Sequence, residues 1–101
     1  MAVIGKFQQN LNEIVGEIFT LGLQVQNVRI VREPDNSSED APTHRVLVGK
    51  AEIGAAWTRK SKEGKTYFSV KLDDPSLPAP IYCNLFMDEG VYTLVWNRSK
   101  A

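Results

Sequence analysis

Residues Ala51-Glu52-Ile53-Gly54-Ala55-Ala56-Trp57-Thr58 and Thr66-Tyr67-Phe68-Ser69-Val70-Lys71-Leu72, joined by Arg59-Lys60-Ser61-Lys62-Glu63-Gly64-Lys65, carry the pattern on which the fold turns. Thr66, Phe68, Val70 and Leu72 share one parity and Tyr67, Ser69 and Lys71 take the other, the period of two that an extended backbone imposes on its side chains. A charged, glycine-containing link between two such runs is the signature of a long β-hairpin. Trp57 shares its parity with Ile53 and Ala55, and Arg59 follows on the same side. The small neighbours Gly54, Ala55 and Ala56 leave room for the indole to lie flat, either beneath another strand or against a ligand. Tyr67 has Ser69 and Lys71 as face-mates, so its ring is expected on a polar face.

Outward from this hairpin the same period recurs. In 23–31, Leu23, Val25 and Val31 share one parity while Val28 and Ile30 take the other. The change near Asn27 predicts a bulge, or a strand covered on both faces. Segment 81–87 sets Ile81, Cys83, Leu85 and Met87 against Tyr82, Asn84 and Phe86, and 91–98 sets Tyr92, Leu94 and Trp96 against Val91, Thr93 and Val95. Both are apolar on each face, as a central or sandwiched strand would be, and Phe19, Phe68, Phe86 and Trp96 are expected in the core. In 8–17, Asn10 and Glu13 have the spacing of a helix capping box, but Ile14-Val15-Gly16-Glu17-Ile18-Phe19 is rich in β-branched residues, so strand is expected. The polar acidic loop 33–42, the three prolines of 75–80 and the tight turn Asp88-Glu89-Gly90 punctuate the runs. Seven to eight short strands with turns about every ten residues predict an all-β fold, an antiparallel barrel or sandwich. No repeat or linker divides the chain, so 1–101 is expected to form a single β domain.

The totals limit what such a domain does. At 101 residues there is enough chain for one modest core. Twelve basic and twelve acidic side chains cancel, which argues against a nucleic-acid coat protein and leaves room for a local basic patch. The one cysteine, Cys83, has no partner for an internal disulfide, which suits a reducing compartment. No apolar run approaches the roughly 20 residues that cross a bilayer, and no basic head with an apolar run opens the chain. A cytoplasmic address with no membrane partner is expected, and the sequons at Asn36 and Asn97 then carry no weight.

Reaction chemistry is not visible. Gly64-Lys65-Thr66 has the tail of a phosphate-binding loop, but Arg59 stands where its first glycine belongs and a strand follows where a helix should open. Asp73-Asp74 and Asp88-Glu89 fall in turns, where neighbouring carboxylates cap the backbone or face water. His44 is the sole imidazole, so no histidine cluster awaits zinc. Cys83 alternates with Ile81 and Leu85, the position of a buried thiol rather than a nucleophile. Neither an enzyme nor a cofactor nor a metal is expected.

Glu52-Ile53-Gly54-Ala55-Ala56-Trp57, Ser69-Val70-Lys71-Leu72-Asp73-Asp74-Pro75, Pro78-Ala79-Pro80-Ile81-Tyr82 and Leu94-Val95-Trp96 together resemble the bacterial family catalogued as domain of unknown function 736. Gly16-Glu17-Ile18 and Ala41-Pro42 with Arg45-Val46 extend the likeness over nearly the whole chain. The resemblance implies a small, uncharacterised bacterial protein associated with plasmids and integrative or conjugative elements, and it carries over no catalytic residue. His44 stands where that family more usually has Phe or Tyr, and Cys83 where it has Ala.

The residues themselves single out one surface. Trp57 and Tyr67 beside Arg59, Lys60, Lys62, Lys65 and Lys71 suit single-stranded nucleic acid, with bases stacked on rings and cations following phosphates. The plainer alternative is a charged tip that keeps a sheet edge from pairing with other chains. A small protein–protein effector, such as an inhibitor of a host defence complex or a conjugation accessory, fits the neutral charge and the proline-rich loop as well. An unpaired sheet edge would also allow a homodimer.

Overall fold

The computed structural model describes residues 2–34 and 41–97, so the middle of the acidic loop and both sequon triplets lie wholly or partly outside the described residues. Eight strands follow in order: β1 (Ala2–Asn10), β2 (Glu13–Phe19), β3 (Gln24–Arg32), β4 (His44–Val48), β5 (Ala51–Lys60), β6 (Thr66–Leu72), β7 (Ile81–Asp88) and β8 (Val91–Trp96). Each pairs antiparallel with the next, and β8 returns to β1 to close a barrel. The expected all-β class is met, and of the two architectures the barrel is the one found. Closure also removes the premise of edge-to-edge dimerisation, because β1 and β8 pair with each other and leave no free edge among the described strands.

Eight strands enclose a space that side chains just fill. Ile14, Ile18, Val28, Ile30, Val46, Val70, Leu72, Leu85 and Leu94 fill it, with Phe7 and Cys83 among them. Glycine sets how closely the wall can approach. A Cβ at Gly16 would lie 2.1 Å from the Lys6 carbonyl oxygen, and one at Gly54 would lie 2.2 Å from that of Lys71. Neither strand pair could keep its spacing with a side chain there. The parity change in β3 is a bulge: Gly16 opposes Val28 and Ile18 opposes Val25, so Gln26 and Asn27 together face Glu17. Asn27 takes φ 58° to do so.

Nearly all the buried side chains point into the barrel, and this corrects the expectation for β7. Its inner side carries Cys83 and Leu85, while Tyr82 and Phe86 stand outside at 64% and 42% exposure. Phe86 is therefore not a core residue. Phe68 and Trp96 do pack against the core. Lys6, Glu17, Arg29 and Lys71 lie on the outer surface while the interior is apolar, the reverse of a membrane-spanning barrel. No helix of the described residues is long and apolar enough to cross a membrane.

Candidate nucleic-acid interface

The β5–β6 hairpin forms as expected, and its register decides which groups meet. Trp57 opposes Ser69, Arg59 opposes Tyr67, and Lys60 opposes Thr66 at the strand ends. On the other side of β6, Ser69 opposes Asn84 and Lys71 opposes Tyr82. Because Ala56, Val70, Cys83 and Leu85 point inward and are buried, Trp57, Arg59, Tyr67, Ser69, Lys71, Tyr82, Asn84 and Phe86 share the outer face of three adjacent strands.

The hairpin tip is held by its own backbone. The Ser61 amide donates to the Lys65 carbonyl at 2.8 Å, the Gly64 amide donates to the Ser61 carbonyl at 2.9 Å, and the Lys65 amide donates to Ser61 Oγ at 3.2 Å. Gly64 supplies the left-handed φ of 83° that this turn needs. The folded-back tip places Lys62, Glu63 and Lys65 around a concavity of about 390 Å³ whose apolar side is Tyr67, Phe86 and Met87. The Tyr67 and Phe86 rings meet at 5.4 Å between centroids, tilted by 33°. Farther down the face, Lys71 Nζ lies 5.9 Å from the centroid of the Tyr82 ring, a cation–π contact.

Of the residues expected from sequence, Arg59, Tyr67 and Lys71 lie on this face, and Lys62 and Lys65 line its concavity. Trp57 is half-buried and outward-facing on β5, not sealed in the core. Lys60 departs from the group: it is exposed at the strand end but has the inward parity of Ala56. Sequence reasoning missed Tyr82 and Phe86. The available signal was their phase, since Tyr82, Asn84 and Phe86 alternate as Lys71, Ser69 and Tyr67 do.

The ion pairs of the described residues lie away from this face. Arg29 on β3 is paired with Glu13 at 3.1 Å, and Arg45 on β4 lies between Glu33 at 3.0 Å and Glu52 at 3.1 Å. By contrast, Arg59, Lys60, Lys62, Lys65 and Lys71 form no ion pair among the described residues. The titratable groups elsewhere offer little chemistry. Burial pushes the Cys83 thiol up to about 12, so it stays protonated and inert. Burial, and then the Arg32 charge, hold His44 below its ordinary range. His44 contacts Phe68 edge-on at 4.9 Å, and its Nδ1 lies 2.9 Å from Thr43 Oγ1. The side chain and backbone amide of Ser76 both donate to Asp74, lowering its pKa as expected of a turn-capping carboxylate. No three His, Cys, Asp or Glu side chains converge on a metal-sized space among the described residues.

The family model described as Protein of unknown function (DUF736) matches residues 3–99. The chain belongs to this family. No curated protein and no solved structure matches it. The description of the DUF736 family assigns no activity, so the roles of Tyr67, Tyr82, Phe86 and the surrounding cations in this member rest on their geometry and chemistry.

Proposed function

We propose that this protein is a non-enzymatic binding module of a mobile genetic element, acting in the cytoplasm, that holds single-stranded nucleic acid across the outer face of β5, β6 and β7. One observation carries the reading: the rings of Tyr67, Tyr82 and Phe86 share one outer face with Arg59 and Lys71, and Lys62 and Lys65 border it at the tip, cations that form no ion pair among the described residues. Tyr67, Phe86 and Tyr82 offer faces to bases, and stacking of this kind contributes ~1–3 kcal/mol per base. Lys62, Lys65, Lys71 and Arg59 lie where a phosphate backbone would pass. No reaction step is needed, in keeping with an inert thiol and turn-bound carboxylates.

The test is a titration of labelled single strands at several salt concentrations. Affinity should fall as salt rises, with a log–log slope of about 0.7 per phosphate contacted. Lys62→Ala should lower that slope, whereas Tyr82→Ala should weaken binding and leave the slope alone. Failure to bind at low salt would remove the proposal.

A second reading has its own support at the opposite end of the barrel. Leu21 is fully exposed there, beside a groove of about 430 Å³ lined by Val3, Phe19, Ile81 and Trp96. Clustered apolar exposure of this sort suits a protein partner, as a small effector would require. Recovery of one stoichiometric protein by affinity capture, lost on Leu21→Ser, would favour that function.

A further inference from the structure

We infer, resting on the proposed function, that Asn84 and Ser69 recognise one base of the bound strand, and that this base is adenine. Two ring stations lie on the outer face. The upper one is the Tyr67–Phe86 pair, and the lower one is Tyr82 with Lys71 Nζ 5.9 Å from its ring centroid. Tyr82 and Phe86 are four residues apart on β7, which spaces them by ~13 Å at ordinary strand rise. That is about two steps of an extended single strand. A strand laid along β7, with one base on Phe86 and another on Tyr82, therefore brings its middle base over Asn84.

The middle row has a different chemistry from the stations at its ends. Ser69 and Asn84 are register partners and half-buried. Neither side chain has a hydrogen-bond partner among the described residues. Their polar atoms remain reachable from solvent and free to exchange water for the edge of a ligand. The row from Trp57 through Ser69 and Asn84 to Val95 contains no charge, so phosphates are held at its ends and a base edge meets its centre. The asparagine amide presents a donor and an acceptor side by side, the complement of adenine N7 and N6. A single strand leaves that edge open. The Ser69 hydroxyl, one strand away, can both donate and accept at the same base.

Fluorescence anisotropy on the full chain tests this, using short labelled thymidine strands whose central nucleotide is dA, its 7-deaza analogue or dT. The dA strand should bind about five-fold more tightly than the dT strand, the low end for a bidentate base contact. The 7-deaza analogue keeps the ring face and the N6 amine but lacks the N7 acceptor, and should bind more weakly than dA. Asn84→Ala should bind all three alike; if that variant melts early, the 7-deaza comparison decides without it. Equal affinity for dA and its 7-deaza analogue, or a preference that survives Asn84→Ala, overturns the inference. If thymidine strands bind without any adenine preference, the base reader falls and the stacking face stands; if no strand binds at low salt, both fall.

Discussion

Neighbouring residues on β7 give a paired test that separates folding from binding. Leu85 is fully buried at 0% exposure, and Phe86, the next residue, is 42% exposed on the other side of the wall. Leu85→Ala removes packing from a filled interior and should cost about 2–5 kcal/mol of stability. For a domain of this size each kcal/mol lowers Tm by roughly 4–8 °C, so a fall of at least about 8 °C is expected. Phe86→Ala removes a ring whose surface is already two-fifths in water, with a smaller stability cost of about 1–2 kcal/mol. Its effect belongs on binding. Losing one stacking partner at ~1–3 kcal/mol weakens affinity by roughly 5- to 150-fold. The salt slope should not change, because no charge leaves. Thermal melts by circular dichroism and anisotropy titrations at two salt concentrations read both effects, at a temperature where each variant is folded. If Phe86→Ala binds as the parent does, or folded Leu85→Ala loses affinity as much, the outer face of β7 is not the contact surface.

Other perturbations test the framework. Gly54→Ala should lower stability by about 3 kcal/mol, because the new methyl meets the Lys71 carbonyl at 2.2 Å. Gly22→Ala, with nothing within 4 Å, is the control, and equal melting temperatures for the two would contradict the close β5–β6 approach. Cys83 should resist thiol reagents until the chain is unfolded, since burial keeps its proton on up to about 12. An unfolded thiol ionises near 9.0, so the folded state keeps a proton that the unfolded state loses. Stability should therefore fall as pH rises between those values, and Cys83→Ala should flatten that slope. His44 works in the opposite direction. The folded state disfavours the imidazolium, so below the ordinary value of 6.5 the unfolded chain takes a proton that the folded chain refuses. Stability should drop as pH falls through this range, and His44→Phe, which keeps a ring against Phe68, should reduce the drop.

Local pattern made much of this legible. The alternation in 66–72 gave both the strand and the correct side for Tyr67, and Val25 against Val28 marked the bulge at Asn27 before its partner strand was known. The inward turn of Cys83 followed from its place between Ile81 and Leu85. What stayed hidden was non-local. Pairing of β1 with β8 joins Phe7 to Tyr92, and no periodicity announces a contact between residues so distant in sequence. Within 81–87 only Asn84 and the Tyr82 hydroxyl mark the outer side as polar, and Phe86 by itself is as apolar as Ile81 and Leu85. Sequence alone therefore puts Phe86 in the core, and the barrel turns it outward. Lys60 shows the complementary difficulty: a run of cations in a link does not reveal which of them share the parity of the rings.

The central claim can be tested directly on an isotopically labelled chain titrated with an unlabelled single-stranded oligonucleotide at low salt. Amide shifts should move at Tyr67, Ser69, Lys71, Tyr82, Asn84 and Phe86 and in the 61–65 tip, while β2 and β3 remain still. An unchanged spectrum, or shifts confined to the Leu21 end of the barrel, would contradict it.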